Sequence, residues 1–185
     1  DFGMAEETSQ FLNRAVLRAG KDKKGLGRAV GELINEEKLP YREYSIMAAG
    51  TRLGVPVTVH VAMGTDIIHM HPGFDPAACG EASHTDFRIF ASNIAELDRG
   101  VYINAGSAVI LPEVFLKAVT LVRNLGYTPE EFTTVNLDFI RHYRPMTNVV
   151  NRPVQKKGKG YSIVGHHELL IPLIAAGVIE KIGSA

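Results

Sequence analysis

Residues 160–173 read Gly160-Tyr161-Ser162-Ile163-Val164-Gly165-His166-His167-Glu168-Leu169-Leu170-Ile171-Pro172-Leu173. Tyr161 to Val164 carries the aromatic and β-branched side chains that suit a strand, and Gly165 ends it. Helix signals start at His166 and run to about Lys181. A strand that reaches a glycine and passes into a helix is the repeating unit of a parallel α/β sheet.

The same unit recurs upstream. Gly100 to Gly106 reads as a strand, and a helix from Pro112 to Asn124 follows it, closed by Gly126. Phe132 to Asp138 is the next expected strand, and Asn148 to Asn151 a short further one. Ahead of them Val55-Pro56-Val57-Thr58-Val59-His60-Val61-Ala62 is apolar on both faces apart from Thr58 and His60, as a covered parallel strand requires. A helix capped by Ser83 or Thr85 and running to Leu97 would carry the chain to the strand at Gly100.

The amino-terminal third reads as helical. Apolar residues fall on one stripe over 6–19 and again over 26–37, and a third helix over 43–53 stops at Gly54. The expectation is one α/β domain over 1–185, Rossmann-like and three-layered, with a mainly parallel sheet. The chain opens on Asp1-Phe2-Gly3 as if inside a helix, which suits the carboxy-terminal part of a longer chain.

Twenty basic residues balance twenty acidic ones, so the totals give no support for a basic groove that tracks nucleic acid. The apolar run from Leu169 to Ile179 falls short of the ~18 residues that a membrane span needs. With Cys79 as the only cysteine, no internal disulfide can form, which fits the reducing cytoplasm. The expected partner is a small molecule, with neither nucleic acid nor membrane.

In an open parallel sheet, ligands bind beyond the carboxyl ends of the strands. The expected strand ends offer Gly64-Thr65-Asp66, Asn104-Ala105-Gly106-Ser107, Asn136-Leu137-Asp138 and Gly165-His166-His167-Glu168. Small residues at 104–108 would admit a ligand close to backbone, and the free amides opening the last helix could hold an anion. Neither segment is a G-x-G-x-x-G fingerprint or a phosphate-binding P-loop.

Histidine spacing supports an alternative. His69 and His71 are two residues apart, as are His84 and Asp86, and the four could hold zinc and activate a water for hydrolysis. Against that stands the reading of His69 and His71 as pocket-lining or interface residues, with no metal ligand among them. Cys79 lacks a local partner that would activate it and reads as a bystander. Arg141, His142, Tyr143 and Arg144 form a basic corner that suits an acidic substrate, solvent or a subunit contact equally.

Four stretches together resemble the deoxyhypusine synthase family, in particular its bacterial synthase-like members, over Glu43 to Ala176. Glu43-Tyr44-Ser45 leads through a helix to Gly54-Val55-Pro56-Val57, like the family's helix and I-P-(I/V) strand. Gly64-Thr65-Asp66 stands where the family has a Thr-Asp-Gly loop. Gly100 to Pro112 is similar to the strand and glycine-rich loop near the nicotinamide cofactor. Gly160 to Leu173 has the rhythm of the closing strand and helix, with Gly165-His166-His167 at the place of an Asp-Ala-Ser/Thr turn.

The resemblance implies an NAD-binding Rossmann-like fold, a homo-oligomer (in the family a tetramer), and cytoplasmic chemistry on a polyamine. The family reaction is oxidation by NAD, imine formation with an enzyme lysine, and transfer of the aminobutyl group. That lysine sits in a Trp-Gly-Lys motif. This chain has no tryptophan, and Asn148 to Pro153 occupies the place, with Arg152 unable to serve readily as an imine-forming amine. On this resemblance Thr65, Asn104, Gly106, Ser107, Gly165, His166 and His167 would meet the cofactor. Asp66 or Asp138 would orient an amine, and His69 or His166 would handle protons near pH 7. The remaining alternative is a non-catalytic nucleotide-binding scaffold.

Overall fold

The computed structural model describes residues 3 and 5–184, so the reading of Asp1-Phe2 as helix interior lies outside the described residues. Two compact units divide the chain, one ending at Phe90 and the other beginning at Ala91.

The first unit is helical. Helix α1 (Glu6–Asp22) and helix α2 (Leu26–Glu36) place Ala15, Val16, Ala19, Ala29 and Val30 in one core. A 3₁₀ turn (Arg42–Tyr44) leads to α3 (Ile46–Leu53). Ser45 caps α3 by accepting from the N–H of Ala48 at 3.3 Å, and Gly54 ends it at φ 68°. Helix α4 (Pro76–Ala95) then runs on into the second unit. It starts well before Ser83 and Thr85, which lie in its interior and do not cap it.

Val55 to Ala62 is extended but joins no strand, contrary to expectation. Side chains of α4 take the backbone groups that a ladder would have used. The Val59 N–H donates to Asp86 Oδ2 at 2.9 Å, and the Val61 N–H donates to Ser83 Oγ at 3.0 Å. The Ser83 hydroxyl in turn donates to the Val59 carbonyl at 3.2 Å. The segment's β-branched residues thus have helical neighbours where a strand would need a pairing partner.

The second unit is a small parallel sheet flanked by helices. In chain order it contains β1 (Val101–Ala105), α5 (Ile110–Asn124), β2 (Thr133–Asp138), a single turn α6 (Tyr143–Pro145), β3 (Lys159–Val164) and α7 (His167–Gly183). The strands pair in the order β1-β2-β3, both pairs parallel. This is the mixed α/β arrangement expected, in its generic form.

Alternation divides the sheet into two faces. Tyr102, Asn104, Thr134, Asn136, Gly160 and Ser162 share the inner face. There Tyr102 stacks on Phe115 of α5, rings 3.7 Å apart. Val101, Ile103, Tyr161 and Ile163 share the outer face and stay exposed.

Asn148 to Asn151 is not a strand. Met146–Asn151 is π-helical and is followed by a 3₁₀ turn (Arg152–Val154). Two features hold it against the sheet. The Thr134 hydroxyl donates to the Val149 carbonyl at 2.8 Å, and the Val150 carbonyl rests on Gly160, where a Cβ would overlap its oxygen and lie 2.8 Å from its carbon. Gly160→Ala is therefore expected to cost about 1–3 kcal/mol, as overpacking against rigid backbone does. Urea unfolding would read that loss, and a shift within error of zero would show that the π-helical segment moves freely.

Candidate functional site

The carboxyl edge of the sheet gathers three loops. After β1 the chain turns at Gly106, whose φ of 68° favours glycine, and the Gly106 N–H donates to the Leu137 carbonyl of β2 at 3.0 Å. After β3 the Gly165 N–H donates to the Asp138 carbonyl at 3.1 Å. His167, opening α7, approaches the Leu137 carbonyl through Nε2 at 3.0 Å. A carbonyl can only accept, so Nε2 carries the proton. A Cβ on Gly106 would stand 3.1 Å from the His167 ring.

These bonds bring Asn104, Gly106, Ser107, Asp138, Gly165, His166 and His167 to one edge; the fourth cluster expected at a strand end, Gly64-Thr65-Asp66, follows no strand and belongs to the first unit. Their roles differ. Ser107 Oγ accepts from the Leu111 N–H at 3.2 Å and so helps to fasten the start of α5. Asp138 Oδ1 accepts from the Phe139 N–H at 2.7 Å. His166 packs edge-on against Phe139, with ring centroids 4.3 Å apart. Of the two adjacent histidines, His167 is committed to the sheet backbone.

Beneath this edge runs a polar row of which the sequence reading had named Asn104 and Asn136, each in its own segment, but not Ser162 or the row itself. Parallel register sets Asn104, Asn136 and Ser162 side by side across the three strands. Asn104 is 2 % exposed and Asn136 1 %. The Asn104 amide donates to Asn136 Oδ1 at 2.7 Å and to the Ser107 carbonyl at 2.9 Å. Asn104 Oδ1 and Ser162 Oγ are buried without a partner. Unpaired buried polar atoms cost about 1–3 kcal/mol each, and such groups at the ligand-binding edge of a parallel sheet suit a polar ligand. Each residue looks ordinary in its own segment, so only the register reveals the row.

Thr65, Asp66 and His69 belong to the first unit, in a loop that bonds to itself. Thr65 donates to the Ala62 carbonyl from both its N–H (3.1 Å) and its hydroxyl (2.9 Å). Asp66 Oδ2 accepts from the Ala62 N–H at 2.9 Å, and His69 Nδ1 accepts from the Gly64 N–H at 3.1 Å.

The zinc alternative does not assemble. His71 bonds to Asn13 at 2.9 Å and to Glu6 at 3.1 Å, His84 is exposed on α4, and Asp86 is buried against α2. Among the described residues no group of three or more His, Cys, Asp or Glu is placed to hold a metal ion. Cys79 is fully buried, and that burial pushes its thiol up, away from the reactive thiolate. Arg144 of the basic corner stands 3.8 Å from Glu113. Among the described residues no helix is long and apolar enough to cross a membrane. No family model, no curated protein and no solved structure matches the chain.

Proposed function

We propose that the carboxyl edge of the β1-β2-β3 sheet is a nucleotide site, and that the protein is a deoxyhypusine-synthase-like transferase that binds NAD and acts on a polyamine. The observation that carries this reading is the buried Asn104–Asn136–Ser162 row with its two unpartnered oxygens. NAD fits the residues present. Asn104 Oδ1 can accept from an amide or hydroxyl donor, and Ser162 Oγ can donate or accept. Bound there, NAD would supply the hydride acceptor for oxidation of an amine. Asp138 stands at the same edge, where it would orient a cationic amine, and His166 beside it would act as the proton-transfer group.

The assembly proposed is a homo-oligomer. The apolar surface of α7 and of the outer sheet face, exposed through Ile103, Tyr161, Leu169 and Ile182, is what a second copy would cover.

A second reading, a nucleotide-binding scaffold without turnover, rests on Arg152. It stands in the segment where the family lysine is expected, and it donates to Asn148 Oδ1 at 3.4 Å. Calorimetry with NAD, followed by spermidine, separates the readings. The expected result is NAD binding that spermidine strengthens, with NADH appearing on incubation. Binding without NADH favours the scaffold, and no binding at millimolar NAD removes the nucleotide site.

Ser162→Ala is the cleanest variant, because its hydroxyl has no partner to lose. It is expected to leave thermal stability unchanged and to weaken NAD binding about 3- to 10-fold, one neutral hydrogen bond's worth. Unchanged NAD affinity in this variant would show that the row does not touch the ligand.

A further inference from the structure

A cavity of about 300 Å³ opens in the first unit, lined by residues of that unit alone and independent of the nucleotide reading. Its lining is mostly apolar and includes Val16, Leu26, Val30, Met47 and Ile68. The volume lies at the lower end of small-molecule sites, which are apolar pockets with a few placed polar groups. Here those groups are Asp66 and His60.

Asp66 is exposed, and the self-bonded 62–69 loop holds it in place. One of its carboxylate oxygens is committed to the Ala62 N–H, which leaves the other for a ligand. His60 bonds to Thr58 Oγ1 through Nε2 at 3.1 Å, and burial lowers its pKa, so it adds no positive charge near pH 7. Among the described residues no lysine or arginine lines the cavity. An apolar chamber with a single negative charge is complementary to a molecule with one cationic end and an apolar body. A molecule charged along its length would leave charges unpaired against Val16, Leu26 and Val30.

We infer that this cavity is a second ligand site, taking a compact primary monoamine whose ammonium group pairs with Asp66 and whose apolar body fills the chamber. The pairing is a charge-assisted hydrogen bond in a partly dry setting, so it should govern selectivity.

The test is titration of the full chain with 2-phenylethylamine, with its uncharged analogue 2-phenylethanol, and with spermidine, followed by calorimetry and by methyl NMR at Val30 and Ile68. Saturable binding of 2-phenylethylamine that moves both methyl signals is expected. So are an affinity at least about tenfold weaker for 2-phenylethanol and a similar loss in Asp66→Asn. Spermidine should bind more weakly than the monoamine. Absence of saturable binding, equal affinity for the amine and the alcohol, or tighter binding of spermidine would overturn the inference. The two analogues are compared on the unaltered chain, so the result stands even if Asp66→Asn misfolds.

Discussion

Asp86→Ala is expected to destabilise the first unit by about 3–5 kcal/mol, whereas Asp86→Asn should cost no more than about 1 kcal/mol at neutral pH. The difference lies in what the carboxylate holds. Oδ2 accepts from the Gly27 N–H at 3.0 Å and from the Val59 N–H at 2.9 Å. One side chain therefore satisfies an amide in the first turn of α2 and also pins the extended 55–62 segment. Alanine removes the acceptor and leaves two amides unpaired in a site where Asp86 was 1 % exposed. Asparagine keeps an acceptor in nearly the same place. The fit is close, because a Cβ on Gly25 would overlap Asp86 Oδ1.

The same carboxylate sets a pH dependence. Burial raises its pKa above the ordinary aspartate value, and the Gly27 and Val59 amides offset this only in part. A folded pKa above the unfolded one means that this group's contribution is full below about pH 4 and declines as pH rises through the folded value. Asp86→Asn abolishes that slope, so its cost should be smallest at pH 7 and grow towards pH 4. Urea unfolding followed by far-UV circular dichroism across this range would show it. A loss below 1 kcal/mol for Asp86→Ala, or equal losses for the two variants, would show that the clamp does not hold the unit together.

How much of this was legible in the sequence depends on whether the deciding contact is local. β1 and β3 were readable because their aromatic and β-branched residues end at glycines that the turns use, Gly106 and Gly165. Val55 to Ala62 has the same local character, yet its pairing was decided by Ser83 and Asp86, 22 and 27 residues from the amides they accept. Propensity records what a residue tolerates, and it carries no information about which partner arrives.

The start of α4 is a different case, since its signal was present and local. Asp75 Oδ1 accepts from the Ala78 N–H at 2.9 Å, and Pro76 takes the first helical position. An aspartate followed by proline is a strong helix start, stronger than the later Ser83 and Thr85. The π-helical turn at Met146–Asn151 had no such signal. Val149 and Val150 favour a strand, but Thr134 and Gly160, on two different strands, supply the bond and the space that make the helical form fit.

The candidate site shows the same division. Glycines and histidines at strand ends marked the edge, while Asn104, Asn136 and Ser162 became a unit only through a register that three separate segments had to adopt. Asp66 and His69 were chosen because they follow the strand expected over 55–62 and stand where the resembled family has its Thr-Asp-Gly loop. The structure puts both in a self-bonded loop of the first unit, where Asp66 also lines a cavity.

Glutamate at Leu173 and Ile179 together is expected to weaken self-association at least about 100-fold, because burying an unpaired carboxylate in an apolar interface costs several kcal/mol per site. Helix α7 makes this expectation strong. Seventeen residues long, it has no buried residue, and Leu169, Leu173, Ile179 and Ile182 are each about 70 % exposed. Apolar side chains surround it, and a helix of that kind is ordinarily enclosed on all sides. A membrane-surface helix would instead carry one charged face, which the sequence from Leu169 to Ile179 lacks. The outer face of the sheet adds Val101, Ile103, Tyr161 and Ile163, although parallel sheets are normally covered on both faces. Both positions are exposed and glutamate favours helix, so the monomer fold should survive the change. Sedimentation velocity across micromolar concentrations would show an oligomer for the unaltered chain and a monomer for the Leu173→Glu/Ile179→Glu variant. A monomeric unaltered chain, or equal association constants for the two, would sink the assembly.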